Sequence, residues 1–208
     1  MSIVIIDYGS GNLRSVQKAF EKLGFSAEIS KDTSAIRSAK GVVLPGVGSF
    51  DSALKELRAH GLEAAIEEAI AMDKPFLGIC LGLQHLFESS EEGKERGLGI
   101  LKGQVVKFNF SNTPWDNQSI PHMGWNRLLI KHPAPIFEGI ESGNMVYFAH
   151  SFYVKPKDDM IVTAATDYGP EFTSAVWKNN VFGIQFHPEK SGPVGLKILE
   201  NFGKLCLK

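Results

Sequence analysis

The run Phe76-Leu77-Gly78-Ile79-Cys80-Leu81-Gly82-Leu83-Gln84 decides the fold. Four of its first five residues are apolar or glycine and lead into a cysteine; an apolar, helix-compatible stretch follows at once. A strand over 75–79 that turns directly into a helix over 81–87 requires a tight corner. Glycines two residues before and two after Cys80 leave room for it, which is the G-x-nucleophile-x-G pattern of an exposed nucleophile. A helix N-terminus also favours a thiolate, and the Leu81 N–H would point the same way, as an oxyanion donor. The same residues also suit a buried structural cysteine at a βα turn.

Working outward, the first half alternates strand-like and helix-like patterns. Residues 3–7 form an apolar run ending in an acid, and read as a first strand and not a secretory leader. Residues 12–23 are amphipathic, with Leu13, Val16, Phe20 and Leu23 on one face and Gly24 as the stop. Strands are expected at 27–30 and at 41–44, the latter ending at Pro45, and helices at 49–58 and 62–72. This alternation implies right-handed βαβ units and a parallel sheet covered on both faces. The second half changes texture. After a strand at 103–108 comes a polar loop over 109–121, then short strand-like runs at 125–130, 145–150, 161–167, 174–178 and 181–186. They predict antiparallel strands extending or flanking the parallel sheet. A helix over 195–207 closes the chain. The expectation is one α/β domain spanning residues 1–208.

Composition narrows the function classes. Twenty-two basic and 23 acidic residues leave a net charge of −1, with no footprint for nucleic acid or an anionic membrane. No apolar stretch approaches the roughly 20 residues of a membrane span. Two cysteines in 208 residues argue against a disulfide framework and fit a reducing cytoplasm. Cys206 falls on the apolar face of the last helix and reads as core.

A thiolate nucleophile needs a proton acceptor, and Gly183-Ile184-Gln185-Phe186-His187-Pro188-Glu189 offers one. A strand over 181–186 would deliver His187 to its C-terminal end, where ligand sites of open α/β sheets gather. Glu189, two residues on, can reach back to orient the imidazole. His122 and His150 remain competitors for the role, whereas His60, His85 and His132 read as surface or core residues. No histidine–cysteine spacing resembles a zinc site, and neither metal nor cofactor is expected. Leu44-Pro45-Gly46-Val47-Gly48-Ser49-Phe50 follows a strand and opens a helix, so the peptide between Val47 and Gly48 is the natural second oxyanion donor. A phosphate-binding turn is the rival reading, but the chain lacks G-x-x-x-x-G-K-[ST], and Asp7-Tyr8-Gly9-Ser10-Gly11-Asn12 is an incomplete G-x-G-x-x-G.

With these segments in place, the chain resembles the class I (triad) glutamine amidotransferases. Pro121-His122-Met123-Gly124-Trp125-Asn126, Tyr147-Phe148-Ala149-His150-Ser151 and the Pro-Gly-Val-Gly loop resemble, within them, the glutaminase subunits that serve imidazole glycerol phosphate synthesis in histidine formation. The resemblance covers essentially the whole chain. It implies Cys80 as nucleophile, His187 as general acid/base and Glu189 as its partner, with Val47, Gly48 and Leu81 at the oxyanion. L-Glutamine would be held by Gln84, Glu92, His150 and Ser151. It also implies a (β/α)8-barrel cyclase partner in a 1:1 heterodimer, met by Asn12, Pro45, Gly46, Trp125, Tyr147 and Lys190. Without the resemblance, a stand-alone cysteine hydrolase and a non-catalytic interaction subunit remain open.

Overall fold

Strands that are apolar at every position, without alternation, must be covered on both faces. The computed structural model, which describes residues 2–9 and 11–207, gives three such strands in its first half. They are β1 (Ile3–Ile6), β3 (Gly41–Gly46) and β4 (Phe76–Cys80), each buried throughout. Between them run α1 (Leu13–Lys22), β2 (Ala27–Ser30), α2 (Thr33–Ser38), α3 (Phe50–Ala59) and α4 (Leu62–Ala71), and α5 (Leu81–His85) follows β4 directly. Alternate side chains supply two cores. Ile3, Ile5, Val43 and Ile79 pack on the face that receives Phe20 of α1; Val4, Ile6, Val42 and Leu44 pack on the face with Leu54, Leu57 and Ile66 of α3 and α4. Met1 and Ser10, which belong to the 1–7 and 7–12 segments read from sequence, lie outside the described residues.

The second half contributes β5 (Ser89–Ser90), β6 (Gly103–Lys107), β7 (His122–Arg127), β8 (Leu129–Ile130), β9 (Met145–His150), β10 (Phe152–Pro156), β11 (Val162–Asp167), β12 (Glu171–Lys178), β13 (Val181–Ile184) and α6 (Gly192–Leu205). The large sheet runs β2-β1-β3-β4-β13-β12-β10-β6-β5, with β11 pairing β12 and β8. Its left part through β13 is parallel; β12, β10 and β6 continue it antiparallel. A separate ribbon pairs β7 with β9 and sets His122 opposite His150 and Trp125 opposite Tyr147. Antiparallel strands therefore both extend the sheet and flank it. No helix among the described residues is long and apolar enough to cross a membrane.

Several boundaries differ from expectation for identifiable reasons. β3 continues through Pro45 to Gly46, because its register with β1 ends at Val43 and the proline lies where only β4 remains a neighbour. α5 stops at His85, two residues early, where Leu86 and Phe87 tighten into i→i−3 bonds. α2 escaped notice as a six-residue helix that buries only Ile36; Asp32 caps it by accepting from the Ser34 N–H at 2.8 Å. β10 was also missed, because the run Phe-Tyr-Val-Lys-Pro is short and its proline argues against a strand. The 125–130 run starts earlier, at His122, and breaks at Leu128 into β7 and β8.

Candidate active site

Cys80 is the hinge between β4 and α5, with φ +54° and ψ −110°. Non-glycine residues rarely adopt a positive φ, and the surroundings must hold it there. The flanking glycines make this possible by letting backbones touch. A Cβ on Gly82 would lie 1.8 Å from the Leu44 carbonyl oxygen, and one on Gly78 would lie 2.8 Å from the Gly82 carbonyl oxygen. Cys80 is 6% exposed.

β13 lies parallel to β4, with Ile184 opposite Ile79, so the chain leaving β13 emerges beside the cysteine. There His187 stands beside Cys80 and is hydrogen-bonded to Glu189, Nδ1 to Oε1 at 3.1 Å. Burial disfavours the imidazolium, but the hydrogen bonds and charges of Cys80 and Glu189 outweigh it and push His187 up to about 10. The loop carrying it is pinned to β9. The His187 N–H donates to Tyr147 O at 2.9 Å, the Ser191 hydroxyl donates to His187 O at 2.6 Å, and the Tyr147 N–H donates to Ser191 Oγ at 2.9 Å.

Next to the sulfur opens a cavity of about 230 Å³. Val47, Gly48, Leu81, Gln84, Glu92, His150 and Ser151 line it with Cys80, so the expected oxyanion and substrate residues all meet in one place. Leu81 opens α5, leaving its N–H without a partner inside the helix. Burial raises the Glu92 carboxyl, the bond from the Phe50 N–H at 3.0 Å opposes that, and Asp51 adds to the rise. Gln84 is narrower in scope than its sequence suggested: its amide nitrogen donates to Phe152 O at 3.0 Å and to Gln185 Oε1 at 3.2 Å. Only its oxygen remains for a ligand.

His150 and His122 are unsuited to the role of base. His150 Nδ1 donates to Phe152 O at 2.8 Å, a carbonyl that can only accept, so its Nε2 must accept from His122 Nδ1 at 3.0 Å. His122 Nε2 in turn takes a bond from Asn126 Nδ2 at 3.2 Å. Both rings are therefore neutral, and burial holds them low, at about 3 for His150 and about 4 for His122. His85 is fully buried and held at about 3, again by burial. His60 and His132 lie exposed in turns. Cys206 packs in the core, its thiol pushed up to about 12 by burial. Among the described residues no group of three His, Cys, Asp or Glu side chains could hold a metal ion.

The expected docking residues divide. Asn12 and Lys190 are exposed, and Trp125 is 53% exposed. The edge of the Trp125 ring meets Tyr147 at 6.2 Å between centroids, and the Lys190 ammonium lies 5.7 Å from the Tyr147 ring. Pro45 and Gly46 are instead buried at the end of β3, where the Tyr8 hydroxyl donates to Pro45 O at 3.0 Å. The loop offers Val47 and Gly48 to the outside in their place. Sequence reasoning also passed over Gln185 and Tyr8, which stood in quoted segments with nothing in their residue types to mark them.

Comparison with known proteins shows the family. Residues 4–205 match the family described as glutamine amidotransferase class-I. Over 98% of its length the chain is 52% identical to all of "Imidazole glycerol phosphate synthase subunit HisH" from Syntrophotalea carbinolica. The subunit of the same name from Aquifex aeolicus is 50% identical, with 100% of this chain and 99% of that one covered. PurLQS from Thermotoga maritima shares the fold, with TM-score 0.74 at 22% identity over 97% of this chain and 96% of that one. A buried cysteine at a strained elbow, with a histidine and a carboxylate behind it, thus stands within a matched sequence of nearly full length, and the chain belongs to the class-I glutamine amidotransferase family of enzymes.

Proposed function

We propose that this chain is the glutaminase subunit of an imidazole glycerol phosphate synthase, with residues 1–208 acting as one glutaminase domain in the cytoplasm. The observation that carries the reading is Cys80 on the wall of a cavity of about 230 Å³, with His187 beside it and Glu189 bonded to that imidazole. Relatives about half identical over nearly the whole chain support the choice of synthase.

In the reaction, the Cys80 sulfur forms a bond to the side-chain amide carbon of glutamine, and the carbonyl oxygen takes the displaced electron pair. The C–N bond then breaks as His187 gives its proton to the leaving nitrogen, releasing ammonia and a thioester. Water attacks the thioester, His187 takes its proton, and the C–S bond breaks to give glutamate. N–H groups of Leu81 and of the 47–48 peptide would meet each oxyanion; removing one such donor typically costs about 2.7–4 kcal/mol of barrier. Glu92 would pair with the α-ammonium group, aided by the Gln84 oxygen, and the backbone of His150 and Ser151 would hold the carboxylate.

Ammonia released into neutral water becomes mostly ammonium, which has no lone pair for attack. A partner docked over the cavity would keep it neutral. The partner proposed is a (β/α)8-barrel cyclase in a 1:1 heterodimer, which accepts ammonia and a phosphorylated ribonucleotide. Asn12, Val47, Gly48, Trp125, Tyr147 and Lys190 form the rim it would meet. Cys80→Ala should abolish glutamine hydrolysis by the complex while ammonia-dependent synthesis continues; undiminished glutamine turnover would overturn the reading.

A further inference from the structure

A carbonyl oxygen can only accept hydrogen bonds, so a chain of amides that begins at one has its polarity fixed throughout. The Phe152 carbonyl is such an origin. It accepts from Gln84 Nε2 at 3.0 Å, which forces the Gln84 NH2 group inward. The same NH2 reaches Gln185 Oε1 at 3.2 Å, so the oxygen of Gln185 must face Gln84. The NH2 of Gln185 is left pointing the other way, at Cys80 Sγ, 3.6 Å distant. Turning the Gln185 amide over would set two NH2 groups against each other and bring an oxygen lone pair onto the sulfur. Gln185 is fully buried and Gln84 nearly so, leaving little water to compete for these bonds.

From this geometry we infer that Gln185 is a further catalytic residue: its amide donates to the Cys80 sulfur in the thiolate state, while Gln84 positions it. The inference rests on Cys80 being the nucleophile. Its consequence is that the thiolate has a donor besides His187. The free thiolate that stands before attack, and again once the C–S bond has broken, is therefore not stabilised by the imidazolium alone. Phe152 O also fixes the tautomer of His150, so one carbonyl sets the polarity of both polar walls of the cavity.

The test is the pH dependence of Cys80 alkylation by iodoacetamide in the full chain, for Gln185→Met against the unaltered protein. The pH of half-maximal rate should rise by about one unit, the size of one hydrogen bond to a charged group, and glutamine kcat should fall with little change in KM. Gln84→Met should move the profile the same way by less. If Gln185→Met loses its circular dichroism, the near-isosteric Gln185→Glu takes its place, and its carboxylate beside the sulfur should raise the profile further. A profile superimposable on the unaltered protein in a folded variant overturns the inference. Alkylation reads the sulfur without requiring glutamine turnover, so this outcome is separate from failure of the nucleophile assignment, which Cys80→Ala with intact glutamine hydrolysis would reveal.

Discussion

Behind the cavity, Cys80, Gln185 and His187 are nearly or fully buried, and the loop from His187 to Ser191 is bonded to β9 at both Tyr147 backbone atoms. On the outer side, Val47 is 42% exposed and is followed by Gly48 at φ +100°, with exposed Met123 also lining the opening. The groups that must meet at fixed distances are thus held by backbone contact and hydrogen bonds. The second oxyanion donor and the groups that would greet a partner stand at an open, glycine-bearing lip. Stability follows contact density, so the inner wall should resist opening while the lip moves more freely.

The sharpest break in this comparison is Gly82→Ala. Its added methyl would sit 1.8 Å from the Leu44 carbonyl, backbone against backbone, so neither side can yield by a rotamer change. Overpacking of this kind costs about 1–3 kcal/mol and sometimes more. The upper end of that range or beyond is expected here, lowering Tm by on the order of 10 °C for a chain of this size. A thermal melt within 2 °C of the parent would mean that the elbow is looser than its geometry implies.

Acid should act on the inner wall through its histidines. His85, His122 and His150 are held at about 3 to 4, below the usual value, so the unfolded chain binds protons more readily than the folded one. Their contribution is complete above about pH 6.5 and is lost as pH falls towards 4. Each can cost up to about 1.4 kcal/mol per pH unit, or about 4 together as an upper limit. His187 has the opposite sign: raised to about 10, it stabilises fully below about 6.5 and loses that contribution as pH climbs through 10. Urea unfolding should therefore show markedly lower stability at pH 5 than at pH 7, and His122→Asn should lessen the slope. Equal stability at the two pH values would contradict the neutral state of the buried rings.

How far the sequence reveals this arrangement depends on the range of the interaction. The strands at β1, β3 and β4 are legible because burial on both faces leaves an unbroken apolar run. The elbow is legible because its glycines flank the cysteine within five residues, and Glu189 because it is two residues from His187. Gln185 is not, since its partner Cys80 lies 105 positions away and only the β4 and β13 pairing brings them together. Tyr8 acts across 37 positions on Pro45 in the same way. α2 and β5 fail for another reason: six and two residues carry too little periodicity to register. The burial of Pro45 and Gly46 was hidden because a Pro-Gly pair ordinarily signals an exposed turn.

The mildest effect on stability is expected at the lip, and it separates the two sides most directly. Gly48→Ala places a methyl on a residue at φ +100°, where side chains are strained by about 1–3 kcal/mol unless the backbone turns away. The lip is exposed and can turn, so the melting temperature should fall by less than for Gly82→Ala. The peptide before Gly48 would pay for that relief by losing its orientation towards the oxyanion. Glutamine turnover with the cyclase and its ligand present should then drop by more than the resting turnover of the isolated chain. If instead both rates fell together, in proportion to lost folded protein, Gly48 would belong with the rigid inner wall, and no separate lip could be invoked for stimulation by a partner.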